Sequence, residues 1–206
     1  MRIAIIAITV LAALGCEDFE TPAELEHEQI IAVQADPPAV MAGGAANLRV
    51  LVAGPDGIIE PDEVGYQSPT GTIDQLGVYH APVNSVAGER AEITIDVLVG
   101  GRTLTAIKSI EIGAAEPGRN PSLGETQGAG QSTDGSTMQV EVGTELQVET
   151  ELDDVAWYSN VVGIDAYRSN PTEVTSIRKD VGQIVAVVRD GQGGVAWIYW
   201  SAQAQP

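Results

Sequence analysis

Cysteine, histidine, aromatic residues and positive charge are all scarce in this sequence. It holds one cysteine and two histidines among 206 residues. A single thiol excludes an intramolecular disulfide and any multi-thiolate metal site. His27 and His80 alone are too few for a His-rich zinc site. Aromatic residues make up 4% of the chain, so any core must be built from Val, Ile, Leu and Ala. Ten lysines and arginines stand against 29 aspartates and glutamates, a formal charge of -19. Such a surface repels phosphate backbones, so no nucleic acid is expected as a partner. It also repels anionic lipid headgroups, so attachment to a membrane has to be hydrophobic. Beyond residue 15 no stretch keeps a helical period. What is present in quantity is apolar residues, 44% of the chain. That suffices for packed cores, and the length suits one large domain or two small ones.

The first segment, 1–15, reads as a signal peptide. Arg2 supplies a short positive start, and Ile3 to Leu14 form an apolar run broken only by Thr9. The run is too short to span a bilayer but fits the hydrophobic region of a leader. It ends in Ala13-Leu14-Gly15-Cys16, which resembles the lipobox of bacterial lipoproteins, with Ala13 where that family prefers Leu. The resemblance implies a diacylglyceryl group on the Cys16 sulfur, cleavage before Cys16 and acylation of the new amine. It further implies anchoring at the bacterial cell envelope, on the periplasmic or surface face of the outer membrane. Several acyl chains on one residue, at about 0.8 kcal/mol per buried CH₂, anchor stably. Segment 16–29 is rich in Glu and carries only Phe19 and Leu25 as clear apolar residues, and it reads as an extended acidic tether with a solvated His27.

From Ile30 onward, short runs of Val, Ile and Thr alternate with Gly, Pro, Asp and Asn, the pattern of an all-β chain. In 30–113, Leu48, Val50 and Val52 alternate, as do Ile93, Ile95, Val97 and Val99, and Gly100-Gly101 closes a hairpin. In 137–206, Met138 to Val142 opens a similar series. Leu146 and Val148 follow as Leu48 and Val50 do, Val155-Ala156-Trp157 stands where Val64-Gly65-Tyr66 stood, and Gly163-Ile164-Asp165 echoes Gly71-Thr72-Ile73-Asp74. The shared order, offset by about 90 residues, predicts a duplication of one β-sandwich plan. The Gly- and Ser-rich stretch 114–136 between them reads as a linker. Gly71-Thr72-Ile73-Asp74 through Gly77-Val78-Tyr79-His80-Ala81-Pro82 resembles a motif of bacterial Ig-like domains, and the second unit is similar to Ig-like and PKD-like envelope repeats. The resemblance implies tandem immunoglobulin-like sandwiches and says little of function. Trp157 is the expected core plug of the second unit.

Chemistry is harder to find. His80 has no nucleophile context beside it, which argues against a hydrolase. Asp56, Glu60, Asp62 and Glu63 crowd one loop and Asp153-Asp154 another, a candidate Ca²⁺ set that lacks the EF-hand spacing. Gly191-Gln192-Gly193-Gly194 joins two strands and reads as a hairpin loop rather than a phosphate cradle. Near the C-terminus, Trp197 and Tyr199 fall on one face of a strand, with Ile198 and Trp200 on the other. One of these faces is left over once a core is filled, so Trp197, Tyr199 and Trp200 mark a candidate interaction surface for the first domain, a second copy or a ligand. The expected function is a membrane-anchored, non-enzymatic binding, adhesion or structural module acting on an envelope protein or glycan. The alternatives are an accessory subunit of an envelope complex and a cryptic hydrolase.

Overall fold

The computed structural model describes residues 23–123, 130–131 and 137–205, and all of its regular structure is β-strand. The leader and Cys16 lie outside the described residues. The first unit contains β1 (Gln29–Asp36), β2 (Ala39–Val40), β3 (Ala45–Gly54), β4 (Gly57–Ile59), β5 (Glu63–Gln67), β6 (Thr72–Ile73), β7 (Val78–His80), β8 (Glu89–Val99) and β9 (Arg102–Ile112). One sheet runs β1-β3-β7-β6, with β4 also beside β3, and the other runs β2-β9-β8-β5. The chain changes sheet at Pro37-Pro38, where neither residue has an N–H to give a ladder, and resumes as β2, parallel to β9. This is the immunoglobulin order, four strands of A-B-E-D type facing a G-F-C sheet. The Gly100-Gly101 loop has positive φ at both positions (54° and 81°), as a two-residue hairpin turn of this hand requires.

The second unit contains β10 (Gly130–Gln131), β11 (Thr137–Val140), β12 (Glu145–Leu146), β13 (Val155–Ser159), β14 (Val162–Ile164), β15 (Thr172–Ile177), β16 (Val181–Arg189) and β17 (Val195–Ala204). Its larger sheet is ordered β10-β17-β16-β13, with β11 also on β17, and its smaller one β12-β15-β14. The two units therefore share one strand order. The segment beginning at Met138, however, is β11, parallel to β17, and so corresponds to β2 and not to the opening strand β1.

Each sandwich has its own core. The first centres on Tyr79, Ile93, Ile95 and Ile110, the second on Trp157, Leu146, Ile184 and Val140, all fully buried. A third apolar cluster lies between the units. Ile31, Ala32, Leu51 and Ala53 on the outside of the first sheet meet Ala156, Tyr158, Val185, Val187, Val195 and Trp197 on the outside of the β13-β16-β17 sheet. A bulge between Ile30 and Ala32 lets Ile31 and Ala32 both face this junction while Ile30 and Val33 stay with the first core.

The junction corrects one expectation. The acidic tether is not a free spacer over 23–28. Ala23 and Leu25 are buried, the Leu25 amide donates to the Ser159 carbonyl (3.1 Å) and the Ser159 amide to the Ala23 carbonyl (2.9 Å). Spaced two apart, these apolar side chains fall on one face of an extended chain that adds itself to β13, and Glu24 between them, half-buried, pairs with Arg178. Residues 114–123, the start of the linker, pack against both domains. Gly118 donates to Ala39, Asn120 bridges the Ala35 carbonyl (2.8 Å) and the Val195 amide (3.0 Å), and Leu123 is buried in the second core.

Candidate functional site

The predicted interaction strand is β17, and its alternation divides it as the sequence requires. Trp197 is 5% exposed in the interdomain cluster, and Tyr199 is partly buried against the same cluster. Trp200 points the other way and stacks on Trp157 at 6.1 Å with an interplanar angle of 20°. Trp197 and Tyr199 are therefore covered by the first domain, and Trp200 belongs to the second core. The strand offers no outside partner a continuous aromatic face. Trp157 has its indole N–H on the Ser169 carbonyl (2.8 Å), which satisfies its one polar group inside the core.

Around the apolar junction runs a set of hydrogen bonds from one domain to the other. Gln34 Nε2 donates to the Val195 carbonyl (2.6 Å) although Gln34 is buried. Gln183 Oε1 accepts from the Ile58 amide (2.6 Å). Asn160 Nδ2 and Lys179 Nζ both donate to the Pro55 carbonyl, at 2.9 and 2.6 Å. On the opposite side, Lys108 Nζ donates to the Gly193 carbonyl (2.5 Å) and Arg189 Nη2 to the Ile31 carbonyl (3.1 Å). Each is a side chain of one domain satisfying the other's backbone, which fixes register as well as contact. Burial draws the Lys108 ammonium down to about 8; the Asp190 carboxylate works against that shift and Arg189 adds to it. The docked N-terminal segment adds ion pairs on both sides, Arg178 of the second domain with Glu24 and Glu26, and Arg102 of the first with Glu28.

The carboxylates singled out for calcium are not gathered. Among the described residues no three His, Cys, Asp or Glu side chains form a set that could hold a metal ion, and Asp56, Glu60, Asp62 and Glu63 are not gathered into one. Asp62 has a different task. Its Oδ2 accepts from the Gly100 amide at 3.0 Å and ties the loop before β5 to the β8–β9 hairpin. Asp153 and Asp154 are exposed. His80 ends β7 with its side chain exposed, and His27 is exposed in the docked N-terminal segment.

The motif around residues 71–82 is a folding device. Asp74 Oδ1 accepts from the Leu76 and Val78 amides, both at 2.9 Å, and closes the turn between β6 and β7. Gly71 and Gly77 have φ of 79° and 80°. A Cβ on Gly77 would lie 2.8 Å from the Tyr66 hydroxyl, and one on Gly71 would strike the His80 carbonyl. Tyr79 fills the core beneath them.

Several junction residues carried no sequence signal: Gln34, Lys108 and Arg189 are ordinary polar residues on strands. The apolar half of the junction did carry one. Ile184 to Val188 and Val195 to Trp200 are unbroken apolar runs, the pattern of strands buried on both faces, whereas β8 alternates from Arg90 to Val97.

No protein-family model and no curated protein sequence matches the chain. Among solved structures, it is similar to the N-terminal Ig1-2 module of the Drosophila receptor protein tyrosine phosphatase DLAR. The identity is 15%, over 87% of this chain and 99% of that one, with a TM-score of 0.32. A chimeric titin Z1Z2 carrying a KLER peptide from decorin is 12% identical over 86% and 98% of the two chains, with a TM-score of 0.25. Sidekick-1 immunoglobulin domains 1–4 are 11% identical over 92% of this chain and 51% of that one, with a TM-score of 0.27.

Proposed function

We propose that the chain is a bacterial lipoprotein, held at the cell envelope by lipid on Cys16, whose two docked sandwiches form a non-enzymatic binding or structural module for an envelope protein or glycan. The observation that carries the non-enzymatic part is where the immobilised carboxylates point. Asp62 serves the Gly100 amide, Asp74 the Leu76 and Val78 amides, and Asp190 the Gln192 and Gly194 amides. These groups are committed to the backbone of their own loops. The anchor rests on Ala13-Leu14-Gly15-Cys16 after an apolar run. Expression with labelled palmitate tests it: label should enter the wild type and not Cys16→Ala, and the variant should leave the membrane fraction. Equal labelling of both would end the lipoprotein reading.

A second reading, an accessory subunit of an envelope complex, is favoured by one patch. The loops at one end of the first sandwich leave Met41, Val83 and Val86 exposed, at 46%, 86% and 60%. Large apolar groups so placed suit a protein contact. Pull-down from envelope membranes should recover a stoichiometric partner that Val83→Asp releases; recovery of the same partner by the variant would remove this reading.

A further inference from the structure

Positive charge is rare in this chain, yet three of its ten cations line one groove. The groove, about 460 Å³, lies between the domains, where the β16–β17 hairpin meets the edge of the first sandwich formed by β1 and β9. Its walls include Ile31, Ala32, Ala106 and Gly193; Arg90 and Lys108 enter from the first domain and Arg189 from the second. None of the three forms an ion pair with a carboxylate among the described residues; the ion pairs of Arg102 and Arg178 lie elsewhere. Lys108 spends one proton on the Gly193 carbonyl and Arg189 one donor on the Ile31 carbonyl, while Arg90 makes only a long 3.5 Å contact with Ser109 Oγ. Arg189 Nη1 is buried and has no partner among the described residues. The nearby acids offset this charge only in part. Asp154 lines the rim without pairing, and Asp190 turns its Oδ1 to the Gln192 and Gly194 amides.

Backbone carbonyls satisfy donors but leave a net charge in place. Partly desolvated cations brought together repel one another; burial is the main reason the Lys108 ammonium is depressed, with Arg189 adding to the shift and the Asp190 carboxylate opposing it. Of the chain's 29 acids, Asp190 acts on Lys108 and Glu111 stands opposite Arg90 on β9, but neither forms an ion pair there. An oxyanion in the groove would take the free Lys108 protons and the Arg90 and Arg189 forks in charge-assisted hydrogen bonds.

We infer that the interdomain groove framed by Arg90, Lys108 and Arg189 binds the terminal oxyanion of a ligand, a carboxylate or a phosphate. Because both domains contribute, the site exists only in the docked state, and occupancy stabilises docking. Calorimetric titration of the whole chain in zwitterionic detergent at low chloride tests this, with inorganic phosphate and succinate in separate arms. Saturable binding at ~1 mM or tighter is expected, and the tighter arm names the group. Arg189→Met and Lys108→Met should each weaken it about tenfold. Since those side chains also hold the domains together, Arg90→Gln, exposed and outside the docking bonds, should weaken it several-fold on its own. Arg168→Gln, an exposed cation elsewhere, should not. Bound ion should also lift the Lys108 ammonium back toward its ordinary value, read by NMR at the side-chain nitrogen. No saturation by ~50 mM of either ion, or equal affinity in Arg90→Gln, Arg189→Met and wild type, overturns the site.

Discussion

Strands β8 and β16 hold the same place in the two sandwiches, yet their outward faces are opposite in character. On β8 the outward residues are Arg90, Glu92, Thr94 and Asp96, set against buried Ile93, Ile95 and Val97. On β16 they are Val185 and Val187, as buried as the inward Ile184, Ala186 and Val188. The difference follows from what lies outside. Water covers one sheet, and the β1-β3 sheet covers the other. The same contrast runs along β3 alone, where Ala45, Asn47 and Arg49 are exposed on the outer face and Leu51 and Ala53, reaching the junction, are buried. Polarity of an outward face thus records contact and not strand identity. Two sandwiches of one strand order differ where one is the other's wall.

The plug positions give the hardest test of that equivalence. Trp157→Ala removes a fully buried indole, its Ser169 bond and its stack on Trp200, and should cost about 3–5 kcal/mol in denaturant unfolding. Tyr66→Ala, at the matching but partly open position, should cost clearly less. Equal losses would mean that the two cores rest on their plugs alike. Next comes the outward face. Val187→Asp buries an uncompensated charge at the junction and should cost on the order of 3 kcal/mol. It should also split one calorimetric transition into two and enlarge the particle in small-angle scattering. Thr94→Asp, on the wet counterpart, should stay within ~0.5 kcal/mol; a similar loss there would dissolve the contrast.

A smaller effect is expected from pH. Lys108 is held at about 8 in the folded chain against an ordinary 10.5, so between those values the unfolded state binds the extra proton. Stability should therefore rise with pH across that window, by about 1–3 kcal/mol relative to Lys108→Met. Parallel stability curves for the two proteins would show that burial imposes no such cost. The smallest change expected is from Arg178→Ala. It removes partly exposed pairs with Glu24 and Glu26, worth about 0.5–1 kcal/mol. Amide exchange at Leu25 should quicken with little change elsewhere; unchanged exchange would assign the docking of 23–28 to Ala23 and Leu25 alone.

Much of this fold was legible because β-alternation and turn chemistry are local. Ile93 to Val99, Gly100-Gly101, and the Gly71 to Tyr79 turn are read from neighbours in the chain, and Val155-Ala156-Trp157 does stand where Val64-Gly65-Tyr66 stands. The junction was less legible because it is made of distant partners. Gln34 meets Val195, and Lys108 meets Gly193, through an arrangement that no local pattern encodes. Acidic composition made 17–29 read as a spacer, but two apolar side chains, Ala23 and Leu25, are enough to add an extended strand where an open edge such as that of β13 waits. Proximity in sequence is not convergence of oxygens: Asp62, one of the carboxylates singled out for calcium, bends toward a hairpin and accepts from the Gly100 amide.

The seating of Ala23 and Leu25 on β13 also sets a length. From residue 16 to residue 23 the chain can span at most ~25 Å. A Cys16 fixed in a bilayer would therefore hold this body on a short leash, hugging the lipid surface. Its travel would be lateral, within the plane of the membrane, and partners on a distant layer of the envelope would have to come to it.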